Sequence, residues 1–332
     1  MNILVISNNL ERASFRQRIG IYLDILRKEG IKCEVAQLPL GSLARRKLFK
    51  RAANFDGVFL QKKRLNILDA RWLRRYARKI IYDFDDAVMY SEKSPERPSR
   101  KRMMSFQRTA KQADLVIAGN SYLAEQARKH NSNVKILPTG LNISDYTVCA
   151  KPGNNGKIRL VWIGSKSTLS YLAEIRPALE EIGSRFRNVI LRIISDKFFD
   201  LRNIQVEKRL WSEQTQAGDL AASNIGLAPL PDNLFTRGKC GFKVLQYAAA
   251  GLPVVASLVG VNSEYVRNGV TGFSATSISQ WTDRIAELIT NATLRETMGK
   301  AGKDMVHSFD VGIIGKGLVN LIAELYEYDN QN

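Results

Sequence analysis

Short apolar runs alternate with amphipathic stretches twice along this chain, and no other feature restricts its fold as strongly. In the first half, NILVIS, KCEVAQL, GVFLQ, KIIYDF, DLVIAG and VKILP have the length and apolar content of buried strands. Helical spacing of apolar residues predicts helices over 16–28, 69–78, 99–112 and 121–129. The segment KPGNNGK, 151–157, breaks the pattern and reads as a linker. The pattern then restarts with KIRLVWIG, VILRIIS, NIQVEKRLW, NIGLAPL and PVVAS as strands. Helices are predicted over 168–186, 239–250, 278–290, 293–307 and 311–328. Strand and helix in alternation imply parallel sheets covered on both faces. The predicted architecture is therefore α/β, with two doubly wound Rossmann-like domains over 1–152 and 153–309 and a terminal helix over 310–332. Sheets of this type bind ligands beyond the carboxyl ends of their strands, which predicts a site in a cleft between the domains.

Composition removes several chemistries. Only two histidines occur, His130 and His307, both in polar surroundings that read as solvated helix ends, so zinc sites and Ser-His-Asp catalysis lack their residues. Cys33, Cys149 and Cys240 lie far apart and read as reduced thiols of a cytoplasmic protein. No secretory leader is predicted. The uncharged stretch 244–263 contains Gln246, Gly251, Pro253, Gly260 and Asn262, and reads as buried helix, turn and strand instead of a membrane span.

The net charge of +18 is unevenly divided. Residues 1–150 hold 29 Lys and Arg against 14 Asp and Glu, a net +15, and 151–332 hold 21 against 18, a net +3. The runs ARRKLFKR, QKKR, RWLRRYARK and RPSRKR carry most of the surplus. Each alone reads as a solvated helix face. Confined to one half, the surplus points to a polyanionic partner: nucleic acid, an anionic membrane surface or a phosphorylated substrate.

Two passages hold candidate site residues. IIYDFDDAVMY places Asp83, Asp85 and Asp86 after a strand, with the D-x-D spacing that suits a divalent cation. Strand alternation, if it continues that far, sets Asp83 and Asp85 on one face and Phe84 and Asp86 on the other. Local capping or pairing with nearby arginines is the bland alternative for these carboxylates. The second passage, 229–273, contains RGKCG, a glycine-flanked turn that opens a helix. A helix N-terminus offers unpaired N–H groups and partial positive charge to phosphate. Lys239 and Lys243, four apart, are expected on one face of that helix, with Gln246 on the same side.

This second passage resembles the donor-binding half of GT-B glycosyltransferases, especially the retaining family 4 enzymes, through AAAGLPVVAS, GVNSE and NGVTGF. The family's E-x7-E glutamates are replaced here by Gly238 and Gln246, while KVLQY fits a subgroup carrying K-x-x-Q-Y. WIGSKSTLSYL keeps Gly164 of the family's glycine loop, with Ser165 where an arginine is usual. The resemblance implies a glycosyltransferase that retains anomeric configuration and needs no metal or other cofactor. A nucleotide-diphosphate sugar would be its co-substrate, and a glycan or lipid-linked acceptor of cell-surface polysaccharide or glycolipid synthesis would receive the sugar. Donor-binding roles fall on Gly164, Ser165, Lys166, Thr168 (also a candidate N-cap), Lys239, Lys243, Gln246, Gly260, Val261, Asn262 and Glu264. Asp85 and Lys243 would be catalytic, and Arg16, Asp83 and Asp86 would face the acceptor. The expected partners are the nucleotide-sugar, an anionic acceptor and the cytoplasmic face of an anionic membrane, without nucleic acid. Rival readings are a basic nucleic-acid-binding protein and a nucleotide-binding regulator that keeps the fold without catalysis.

Overall fold

The computed structural model describes residues 1–95, 97–147 and 156–327. Most of the segment read as a linker, 151–155, lies outside them, as do Cys149 and residue 328 of the last predicted helix. The chain forms two compact units: Met1–Gly140 with Asn233–Cys240 and Phe309–Asn332, and Leu141–Asp232 with Gly241–Ser308. This division differs from the linker-based one in two places. The first unit ends at Gly140, and it takes in an eight-residue segment from the middle of the second half.

The first unit is a six-stranded parallel sheet of β1 (Asn2–Ser7), β2 (Lys32–Gln37), β3 (Gly57–Gln61), β4 (Ile80–Phe84), β5 (Leu115–Ala118) and β6 (Val134–Ile136). Its order is β2-β1-β3-β4-β5-β6. The buried faces of β3, β4 and β5 explain why their sequences read as continuous apolar runs. On one face, helices Ser42–Arg51, Ile67–Tyr76, Arg100–Gln112 and Ser121–Arg128 pack on Leu60, Tyr82, Phe84 and Val116. On the other, the last helix, Val311–Glu327, packs Ile314, Leu318, Ile322 and Leu325 against Ile3, Val5, Ile81 and Ile117. The helix predicted over 16–28 is broken in three, with a 3-10 turn at Gly20–Tyr22 between helices Ala13–Arg18 and Leu23–Lys28. Gly20 favours that break, because a glycine inside a helix costs about 1 kcal/mol relative to alanine. Helix Ser42–Arg51, read from sequence only as a basic run, is an addition.

The second unit is also a parallel sheet, of β7 (Ile158–Ile163), β8 (Val189–Ser195), β9 (Gln205–Leu210), β10 (Ile225–Ala228), β11 (Val254–Ala256) and β12 (Gly272–Ser274). The order β12-β11-β10-β7-β8-β9 places its switch point between β7 and β10. Ligand-facing loops are therefore those that follow Ile163 and Ala228.

Candidate functional site

In the first unit the three aspartates separate by partner. β4 ends at Phe84, so strand alternation does not reach Asp85. Asp83 is buried and accepts from both Nε and Nη2 of the equally buried Arg18, whose Nη1 donates to Leu137 O at 2.7 Å. Burial pulls the Arg18 guanidinium down, and Asp83 more than restores it. Burial likewise pushes the Asp83 carboxyl up against the pull of Arg18. Arg18 cannot lose its proton in a protein, so the pair stays charged and ties helix Ala13–Arg18 to the sheet. Asp83 thus takes the alternative of pairing with an arginine: burial of the pair, not a lack of acceptor sites, keeps its carboxylate from the surface where an acceptor would arrive.

Asp85 and Asp86 meet lysines. Lys62 Nζ lies 3.2 Å from Asp85 Oδ1 and also pairs with Asp86, whose other oxygen is 3.2 Å from Lys239 Nζ. Burial opposes ionisation of Asp86, and the two ammonium groups outweigh it and hold its pKa low. Lys62 has φ of 57°, among the described residues the one positive φ outside glycine. That conformation turns its side chain back over the end of β4, and its N–H donates to Asp83 O at 2.7 Å. Two ammonium groups beside these carboxylates repel a cation, and no group of three His, Cys, Asp or Glu that could hold a metal occurs among the described residues. Arg16, inside helix Ala13–Arg18, donates through Nη1 to Glu11 O at 2.6 Å.

Lys239 corrects a second expectation. Helix Phe242–Ala249 starts three residues after it, behind a left-handed Gly241 with φ of 64°, so Lys239 and Lys243 share no helix face. Lys239 belongs to the segment held in the first unit, where Phe235 is buried, Tyr122 Oη donates to Leu234 O and Asn120 Nδ2 donates to Lys239 O. Lys239 Nζ also lies over the Phe235 ring at 4.6 Å.

In the second unit, Lys243 is in the first turn of its helix, with Nζ 4.3 Å from the centre of the Trp162 ring. Trp162 is at the end of β7, and a Cβ on Gly164 would come within 2.6 Å of its ring, so only glycine lets the loop lie flat on the indole. Lys243 and Gly164 thus meet around one aromatic at the switch point of the sheet. Tyr247, one turn on, accepts from Ile163 N and donates to Leu227 O, both at 3.1 Å, which staples the helix to β7 and β10.

The glycine loop is less open than its composition suggests. Gly164 N donates to Ile194 O, Lys166 N to Asp196 at 2.7 Å and Thr168 N to Ser165 O at 3.0 Å. Ser165 and Ser167 pair through their hydroxyls at 3.0 Å. Thr168 makes no side-chain cap, because its hydroxyl donates back to Ser165 O at 3.2 Å. Gln246 is buried, and its amide donates to Tyr146 Oη and Gln216 Oε1, each at 3.0 Å. Both donors are engaged inside the unit. Gly260 takes φ of 54°, and Val261, against which Gly241 is closely packed, leads into the short helix Asn262–Tyr265 with Asn262 buried and Glu264 exposed. The motif residues around 260 and the start of helix Phe242–Ala249 therefore adjoin. Lys62, Trp162, Tyr146, Gln216 and Asp196 were missed as site residues. Only Lys62 and Trp162 had a visible signal, as polar or aromatic positions at strand ends.

Two parallel six-stranded α/β units of this kind make the fold GT-B. Residues 146–291 match the family described as glycosyl transferases group 1. No curated protein matches it significantly. Among solved structures it resembles HepE from Anabaena in complex with UDP and glucose, at 18% identity and TM-score 0.76, over 98% of this chain and 100% of that one. Sucrose-phosphate synthase from Thermosynechococcus elongatus matches at 14% identity and TM-score 0.74, over 98% and 99% of the two chains. WaaG, a glycosyltransferase involved in lipopolysaccharide biosynthesis, matches at 14% and 0.69, over 96% and 99%.

Proposed function

We propose that this protein transfers a sugar from a nucleotide-diphosphate sugar, with UDP-sugars as first candidates, to a glycan or lipid-linked acceptor of cell-surface polysaccharide or glycolipid synthesis. The observation that carries the reading is Lys243, held over Trp162 in the first turn of helix Phe242–Ala249 and next to the Gly164 loop, inside the span that matches the family. A lysine and a helix N-terminus aimed at one point suit a leaving diphosphate, whose charge grows as the glycosidic bond breaks. Support for UDP comes from HepE, which was solved with UDP and with UDP-glucose.

Transfer is assigned with retention and without a metal. The anomeric carbon–phosphate oxygen bond breaks, the acceptor oxygen bonds to the same face, and the departing phosphate takes the acceptor proton. Lys243 and the helix dipole do the electrostatic work that a cation does elsewhere. Lys239 precedes the helix and shares no face with Lys243, so it does not take that role in the way first expected, and its pairing with Asp86 makes it a positioning residue. Asp85 is assigned to the transferred sugar or the acceptor hydroxyl. The replacements at Gly238 and Gln246 favour one rival, a regulator that binds the nucleotide-sugar and does not turn it over.

A panel of nucleotide-sugars, read first by thermal stabilisation and then by turnover in chelator, tests this. Binding of 100 Kd of ligand stabilises the folded state by about 2.7 kcal/mol. Lys243→Glu is expected to abolish that shift and transfer together, and Asp85→Asn to keep the shift and lose transfer. Stabilisation without turnover by any acceptor supports the regulator. A full shift in Lys243→Glu removes the donor assignment, and a need for added Mn²⁺ removes the metal-free one.

A further inference from the structure

Three neighbouring helices on one face of the first sheet expose apolar residues where such residues are normally covered. Leu40 is 95% exposed, Leu43 81% and Ile67 67%, with Leu68 and Met104 also more than half exposed. Leu40 and Leu43 lie just before and in the first turn of helix Ser42–Arg51, Ile67 and Leu68 in the first turn of Ile67–Tyr76, and Met104 in the second turn of Arg100–Gln112. Each helix follows a parallel strand and returns along the sheet, so these turns lie at the carboxyl end of the strands. Arg45 Nη1 to Asp69 Oδ2 at 3.0 Å sets the first turns of the first two helices side by side. Arg45 Nε to Pro39 O at 2.7 Å fixes the loop that carries Leu40.

Behind each apolar residue the exposed face of the same helix is basic. Leu43 is followed at helical spacing by Lys47 and Lys50, Leu68 by Arg71 and Arg75, and Met104 by Lys111 one face-repeat on, all exposed. Over 39–51, 62–76 and 97–112 there are 17 Lys and Arg against one acidic residue, Asp69, which is buried. The cations crowd one another: burial lowers the pKa of Lys63, with Arg45 and Arg64 adding to it, and burial followed by Arg102 lowers that of Arg64. Apolar side chains at the tip, long cationic chains behind them and no exposed carboxylate within these three segments match the headgroup boundary of an anionic bilayer. A nucleic acid would meet the charge and leave the leucines in water. Of the aromatics in these segments, Phe49 and Phe106 are buried in the core and Trp72 and Tyr76 pack against it, so none stands out from the surface to stack on bases.

We propose that this face, with Leu40, Leu43, Ile67 and Leu68 inserted, docks the protein on an anionic lipid bilayer. The proposal stands on the surface of the first unit and is independent of the donor assignment. The full chain is sedimented with vesicles of phosphatidylcholine alone and of phosphatidylcholine mixed with phosphatidylglycerol, over a range of salt. Binding to the mixed vesicles only, weakening with salt, is expected. Leu40→Ser with Leu43→Ser removes apolar surface without touching charge, and about tenfold or more of the affinity is expected to go with it. Lys47→Gln with Lys50→Gln is expected to weaken binding and its salt dependence. All four positions are exposed, so unchanged melting temperatures verify the folds. Wild-type affinity in the serine variant, equal binding to neutral vesicles, or no vesicle binding overturns the proposal. So does wild-type binding to single-stranded RNA in place of vesicles, or self-association that the serine variant abolishes. UDP-dependent stabilisation measured on the same samples reports separately on the donor site.

Discussion

Lys62 shows at the residue scale how a side chain and its backbone can oppose each other. Its left-handed conformation is unfavourable for any residue with a Cβ, by about 1 kcal/mol or more. The ammonium it delivers to Asp85 and Asp86 offsets that cost, because two neighbouring carboxylates with little exposure are unfavourable without a cation. Lys62→Ala removes the cation and keeps the strain, and about 1–3 kcal/mol of destabilisation is expected. Lys62→Gly removes both, so it is expected to be about 1 kcal/mol more stable than the alanine variant by chemical denaturation. An alanine variant as stable as the glycine variant would show that the backbone there is relaxed. The sequence displayed the three aspartates and the lysines of QKKR as separate clusters. Which carboxylate met which cation was not legible, because Arg18, Lys62 and Lys239 reach Asp83–Asp86 from 65, 24 and 153 residues away. Pairing over such separations is decided by the fold and leaves no local pattern.

At the element scale the segment Asn233–Cys240 reads differently from its neighbours. It leaves the loop after β10, binds to the first unit and re-enters the second at Gly241. Gly238 is its tightest point: a Cβ there would come within 2.7 Å of Ala87 Cβ and 2.8 Å of Ala87 N. That space accounts for the absence of the glutamate that the family resemblance places at this position, since no larger residue fits without displacing backbone. Gly238→Ala is therefore expected to cost about 1–3 kcal/mol through overpacking. The measurement is a denaturant midpoint at unchanged m-value, and a neutral Gly238→Ala would mean that the segment moves freely on its docking surface. Strand positions were legible because buried parallel strands are short uninterrupted apolar runs, as in GVFLQ and VILRIIS. So were the helix starts at Ser121, Ile278 and Val311, whereas the one at Phe242 was not. Basic and glycine-rich stretches such as RGKCG carry no apolar period, and the left-handed turn at Gly241 that delays the helix has no signature beyond the glycine itself.

At the scale of the whole molecule, the chain closes the first unit with its last helix. Val311–Glu327 covers the sheet face formed by Ile3, Val5, Ile81, Leu115 and Ile117, and Gly315 lets it approach Ile25 and Tyr22 with no room for a Cβ. Lys135 to Glu324 at 3.2 Å adds an exposed ion pair of small value. The four aliphatic side chains this helix buries, Ile314, Leu318, Ile322 and Leu325, contribute about 1.5–3 kcal/mol each. Their sum is comparable with the entire stability of a domain, about 5–15 kcal/mol. A chain ending at Ser308 is accordingly expected to lose the first unit and keep much of the second, because β7–β12 draw on a separate core that includes Trp162, Leu191 and Trp281. Hydrogen exchange resolves the two: peptides of β1, β3, β4 and β5 should exchange within the dead time in the truncated chain, while those of β7, β8 and β10 stay protected. Retained protection in β1–β5 would show that the first sheet tolerates an uncovered face. Uniform loss in both units would show that the segment Asn233–Cys240, left without its docking surface, carries the unfolding of the first unit into the second.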